Sequence, residues 1–169
     1  MLLAILLRES AVMKSAGPFP LLVLDGGLVS LDKLGLRENP SIGMGQMREA
    51  VYNRTAAGYP EVFAGRRWEE LMYDDTLAIA ATAYHLADLR QSLDAVSNNS
   101  PLRADQLLAV GYNGGESYML KVAKSGAVTG DAAKYLSGRS FVFPPPWTRG
   151  MSTPGYDHYY DLASAMYGG

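Results

Sequence analysis

Residues 74–96, DDTLAIAATAYHLADLRQSLDAV, decide the fold. Asp74 and Asp75 offer N-cap carboxylates. The run that follows has neither Gly nor Pro and is rich in Ala and Leu, which predicts a long helix from Thr76 to about Val96. Its Leu77, Ile79, Ala80, Ala83, Tyr84, Leu86, Ala87 and Leu93 cover more than one face. A helix that is apolar nearly all round is a buried one. The reading is a mostly α protein, an irregular helical bundle around this central hydrophobic helix, with at most a small β element.

Outward from that helix, further helices are expected. Ser100-Pro101 reads as N-cap and first helical position of a helix that stops near Tyr112-Asn113-Gly114-Gly115. Helical runs follow at Glu116 to Lys124, at Asp131 to Leu136 after a Thr129 cap, and at Tyr156 to Met166. Pro144-Pro145-Pro146 bars helix and central strand from the segment Phe141 to Trp147. Toward the N-terminus, Ser41-Ile42-Gly43-Met44-Gly45-Gln46 leads into a helix from Gln46 to Ala57. The segment from Gly17 to Ser41 is an elaborated loop, with a small hairpin at Leu21 to Val29 and a helical turn at Leu31 to Leu36. Leu2 to Lys14 forms the first helix.

Composition narrows the function classes. The 169 residues suit a single domain, 48% apolar and 19% charged, which is a globular balance. With a net charge of −2 and no basic stripe, nucleic acid is not an expected partner. The chain has no cysteine and only two histidines, His85 and His158, both read as structural. No metal site and no cofactor is expected. Met1 to Leu7 is apolar, but without a basic flank or a cleavage site it reads as the buried face of a helix, not a signal peptide. No stretch is long enough for membrane insertion. A helix that opens at Met1 is read as a piece trimmed from something longer.

Three short segments carry chemistry. Glu9, in Leu6-Leu7-Arg8-Glu9-Ser10, follows a strongly apolar run, which places its carboxyl at the edge of the core. Partial burial raises a carboxyl pKa and keeps a proton available for a leaving oxygen. The ordinary reading of such a residue is an exposed helical glutamate. Gly43-Met44-Gly45-Gln46-Met47 and Gly111-Tyr112-Asn113-Gly114-Gly115 are, taken singly, a turn before a helix and a helix C-terminus.

Together these segments resemble the lysozyme-like lytic transglycosylases and goose-type lysozymes. That family shows Glu-Ser on a helix, a Gly-Leu-Met-Gln turn, an acidic residue leading a long apolar helix, and Ala-Tyr-Asn-Ala-Gly. Here the same order appears as Glu9-Ser10, Gly43-Met44-Gly45-Gln46, Asp74-Asp75 with its helix, and Tyr112-Asn113-Gly114-Gly115. The resemblance covers residues 1–124, and 125–169 are an unmatched C-terminal extension. There are two departures, a long connection from Ser10 to Gly43 and the absence of a Pro after the Gln turn.

The resemblance implies a lysozyme-like fold and cleavage of the β-1,4 bond between N-acetylmuramic acid and N-acetylglucosamine in peptidoglycan. Glu9 would be the general acid/base and Ser10 would position the sugar. Gly43, Met44 and Gln46 would line the cleft, Gln46 bonding an N-acetyl group, with Tyr112 close to Glu9 and Asn113 fixing local backbone or binding sugar. Hydrolysis ordinarily needs a second carboxylate, for which Asp25, Asp32, Asp74 and Asp75 are candidates. Lytic transglycosylation needs only one and yields a 1,6-anhydro product. The expected place of action is the bacterial cell wall, extracytoplasmic or virion-associated, within a larger phage or secretion assembly. The rival is a non-catalytic glycan-binding or structural module of such an assembly. A third reading is a helical adaptor, for which the aromatic tail of Trp147, Tyr156, Tyr159, Tyr160 and Tyr167 is the support, though at helical spacing these residues are read first as core.

Overall fold

A computed structural model of the chain describes residues 1–15, 41–128, 130–141 and 151–167. The expected Leu21–Val29 hairpin, the Leu31–Leu36 turn, Thr129, the Pro144–Pro146 run and Trp147 lie outside these residues. The elements are helix α1 (Leu2–Ser15), strands β1 (Ser41–Ile42) and β2 (Met47–Arg48), and helices α2 (Glu49–Gly58) and α3 (Pro60–Phe63). A 3₁₀ turn (Trp68–Met72), α4 (Asp75–Asp94), α5 (Ala104–Gly114), α6 (Glu116–Ser125) and α7 (Gly130–Ser137) follow. The ribbon β3 (Gly138–Phe141) with β4 (Met151–Pro154), and then α8 (Tyr156–Tyr167), complete the order. The protein is mostly helical, and its described strands form two antiparallel two-stranded ribbons.

Packing divides the chain into two compact units, a middle unit of Glu9–His85 and a terminal unit of Met1–Arg8 with Leu86–Gly169. Helix α4 serves both. Leu77, Ala78 and Ala81 are buried in the core of the middle unit, and Leu86, Leu89 and Leu93 in that of the terminal unit. Its long apolar coverage therefore reflects two successive buried faces. The expectation of burial all round is corrected by an exposed stripe of Thr76, Ile79, Ala87, Arg90 and Asp94 at helical spacing.

In the middle unit, β1 and β2 pair Ser41 with Arg48 and Ile42 with Met47 across the turn 43–46. Gly43 sits at φ 72, and a Cβ there would lie 2.5 Å from the Leu71 carbonyl oxygen, so this position needs glycine twice over. Met47 and Arg48 are strand, and α2 starts only at Glu49, later than the sequence suggests, because the hairpin takes their backbone hydrogen bonds. The Trp68 indole N–H donates to the Met47 carbonyl at 2.9 Å, tying the 3₁₀ turn to the hairpin. Ile42, Met47, Tyr52, Phe63, Trp68 and Leu71 form the core with the first half of α4. Phe63 meets Tyr52 and Tyr84 edge-on, with ring centroids 5.8 and 5.6 Å apart.

In the terminal unit, Ala4 and Ile5 of α1 are buried with Leu107, Leu108, Val110, Met119, Val122, Tyr135 and Tyr156. Helix α5 begins at Ala104, not at Pro101. Residues before it form a turn closed by their own side chains, with Ser100 N–H donating to Asn98 Oδ1 at 2.9 Å and Leu102 N–H to Ser100 Oγ at 3.3 Å. Gln106 caps α5 by accepting from Arg103 N–H at 3.1 Å and joins it to α8 by donating to Asp157 at 2.9 Å. Ser92 donates to Glu116 at 2.6 Å, holding α4 to the start of α6. In the aromatic tail, Tyr156 is fully buried, and Tyr159 and Tyr160 pack partly buried against the core.

Candidate functional site

Glu9 lies on α1, half-buried, one residue after a buried stretch of Ala4, Ile5, Leu6 and Arg8 interrupted only by half-buried Leu7. Ala, Leu and Ile carry this helix without a break, and their burial fixes its rotation. Ser10 continues the helix. The carboxylates Asp25 and Asp32 lie outside the described residues.

Gly43, Met44 and Gln46 form the β1–β2 turn, with Met44 packed against the middle core. Gln46 is the described non-glycine residue with positive φ, at 49. Its side chain pins that strained backbone. The amide nitrogen donates to the Gly43 carbonyl at 2.9 Å, its backbone N–H donates to the same oxygen at 3.0 Å, and its amide oxygen accepts from Ser41 Oγ at 3.3 Å. The turn is thus a closed, preformed loop. Its sequence signal, Gly-x-Gly-Gln, is a turn signal first.

Asp74 caps α4. Its carboxylate accepts the Leu77 N–H at 2.9 Å and pairs with the Arg66 guanidinium, which also bridges to Glu70 at 2.8 Å. The Leu77 hydrogen bond, followed by the one from Arg66, holds the Asp74 carboxyl below the usual carboxylate range. Asp75 is exposed in the first helical turn, where a negative charge suits the helix dipole.

In the terminal unit, Tyr112 and Asn113 sit on the last turn of α5. Tyr112 is half-buried against the core, while Asn113 is exposed. Asn113 stands at the mouth of a cavity of about 350 Å³. Its lining runs from buried Val110, Ala132 and Tyr135 through half-buried Tyr118 to exposed Gly114 and Asp131. A side chain on Gly114 would collide with the Tyr118 ring at 2.6 Å, so glycine lets that ring stand against the helix end. Tyr118 is fixed by its hydroxyl, which accepts the Ala132 N–H at 3.2 Å. The Arg8 guanidinium lies 3.8 Å from the centre of the Tyr135 ring.

Tyr118, Asp131 and Tyr135 escape a reading of the sequence guided by motifs. One signal was available: Asp131 and Tyr135 are four apart on a helix and so share a face. Among the described residues there is no group of three or more His, Asp or Glu able to hold a metal, and no helix long and apolar enough to cross a membrane. His85 is buried, and His158 is exposed with its ring edge-on to Tyr159 at 5.2 Å. Compared with protein-family models, with curated proteins and with solved structures, the chain matches none.

Proposed function

We propose that this chain cuts peptidoglycan glycan strands at the β-1,4 bond between N-acetylmuramic acid and N-acetylglucosamine, with Glu9 as general acid/base. The observation that carries the reading is Glu9 itself, a half-buried carboxylate directly behind the buried stretch of α1. Further support comes from its company in sequence: the closed Gly43–Gln46 turn, the Asp74-capped apolar helix and Tyr112-Asn113 follow in the order used by lysozyme-like lytic transglycosylases.

Glu9 gives its proton to the leaving oxygen of N-acetylglucosamine as the glycosidic bond breaks. The acetamido oxygen of the substrate stabilises the electron-poor anomeric carbon. The C6 hydroxyl then attacks that carbon and returns its proton to Glu9, closing a 1,6-anhydro ring. This route is preferred over hydrolysis, which asks for a second carboxylate, because Gly43-Met44-Gly45-Gln46 and Tyr112-Asn113-Gly114-Gly115 match the transglycosylase pattern best. Asp74, one candidate for that role, already serves Leu77 and Arg66. The substrate places the protein at the bacterial cell wall, extracytoplasmic or virion-associated, as part of a phage or secretion assembly.

Mass spectrometry of muropeptides released from purified cell walls tests this reading. Fragments ending in a 1,6-anhydro sugar are expected. Fragments one water heavier make the protein a hydrolase. Release of nothing at all favours the non-catalytic glycan-binding module, a reading that the engagement of the Gln46 amide within its own turn also supports.

A further inference from the structure

The cavity of the terminal unit is a different place from the face that carries Tyr112. At about 100° per residue, Val110 and Gly114 lie some 160° around α5 from Tyr112. Tyr112 does not line the cavity, whereas Val110, Asn113 and Gly114 line it together with Tyr118, Asp131 and Tyr135. Asn113 thus belongs with a second site.

The walls say what fits. A volume of about 350 Å³ is at the small end of ligand pockets, which run from about 300 to 1,000 Å³, so it takes one ring and not a strand. Its floor is apolar and aromatic, suited to the C–H face of a ring or to a methyl group. Its mouth carries Asn113, which can both donate and accept, and the Asp131 carboxylate, which accepts from hydroxyls. Neither sign of ligand charge is favoured. A cation drawn to Asp131 would meet the positive charges of Lys134, 3.9 Å from that carboxylate, and of Arg8, stacked on the Tyr135 ring. An anion would meet Asp131, whose charge is only loosely balanced by Lys134 at 3.9 Å.

We infer that this cavity binds a single neutral sugar ring, its apolar face over Tyr135 and Tyr118 and its polar edge on Asn113 and Asp131. The neutral-ring assignment comes from the walls. The choice of an N-acetylated sugar as probe rests on the proposed glycan substrate. Such a site would hold the chain on a glycan whether or not a bond is being cut.

The test is a titration of the ¹⁵N-labelled full chain, carrying Glu9→Gln to stop turnover, with N,N′-diacetylchitobiose. Saturable shifts are expected at the amides of Asn113, Gly114 and Asp131, with a Kd on the order of 1 mM. Asp131→Ala should weaken them about tenfold, the worth of one hydrogen bond to a charged group. Asp131 is an exposed residue, its side chain 78% accessible, so this substitution leaves the fold intact. Glucosamine, a cation, and N-acetylmuramic acid, an anion, should bind no tighter than the neutral sugar. The inference is overturned if those amides do not move, if Asp131→Ala leaves the titration unchanged, or if either charged sugar binds about tenfold tighter. Cleavage by the wild type without these shifts sinks the cavity alone. Shifts without cleavage uphold the cavity and sink the Glu9 reading alone.

Discussion

The guanidinium of Arg8 stacks on the ring of Tyr135, 3.8 Å from its centre, and both residues are buried. A charged side chain is seldom buried without compensation, and the ring face supplies part of it. The contact ties α1 to α7, and Tyr135 also lines the cavity. Tyr135→Ala should cost about 3–5 kcal/mol, since it removes a large buried ring and leaves Arg8 without its platform. Tyr135→Phe keeps the platform and should cost no more than about 1.5 kcal/mol. Urea unfolding of the two variants measures both; equal losses would mean that the hydroxyl, not the ring, holds the contact.

A second prediction concerns the β1–β2 turn. Gly43→Ala forces a Cβ onto the Leu71 carbonyl and asks an L-residue to keep φ 72. The left-handed conformation costs about 1–2 kcal/mol and the overpacking about 1–3 more. A loss of roughly 2–5 kcal/mol in denaturant unfolding is expected, with the tryptophan fluorescence transition moving to lower urea. An unchanged midpoint would show that the hairpin does not need this glycine.

How much of this was legible in the sequence varies from residue to residue. Asp74 as the cap of α4 follows from a carboxylate placed before an Ala-rich run, and the Leu77 N–H donates to it. The start of α5 was not legible. Ser100-Pro101 has the right chemistry for a helix start, but Asn98 and Ser100 spend their side chains on a local turn. The 3₁₀ turn at Trp68–Met72 lies in a stretch without clear periodicity, and what orders it is a distant bond from the Trp68 indole to Met47. The cavity was invisible for the same reason: Asn113, Asp131 and Tyr135 meet only through helix packing. Glu9 and Gln46 were legible as positions, whereas the closed hydrogen bonding of Gln46 within its own turn depends on a positive φ that the sequence does not advertise.

Stability should depend on pH at both ends. In the folded protein the Asp74 carboxyl is held below its usual value, first by the Leu77 N–H and then by Arg66. Its contribution is therefore present above the unfolded carboxyl pKa of about 3.9 and is lost as pH falls through the lower folded value. Asp74→Asn should flatten the acid limb. Burial of Tyr156, followed by the neighbouring Asp105 charge, pushes its hydroxyl well above the usual range. That contribution is present below about pH 10 and is lost as pH rises beyond it, toward the raised folded value. Tyr156→Phe should flatten the alkaline limb and leave the acid limb as it was. Urea midpoints recorded from pH 2 to 12 check both; unchanged limbs in the variants would contradict the assignment.

The central claim is that Glu9 moves the proton, and the direct measurement is the rate at which wild type and Glu9→Gln clear a suspension of purified cell walls. Glutamine keeps the size and the helix while removing the acid. A positioned acid/base contributes about 10²–10⁴-fold, so the variant should clear at least about a hundredfold more slowly, with its unfolding midpoint close to that of the wild type. Equal clearing by both proteins, or by neither, would contradict the account.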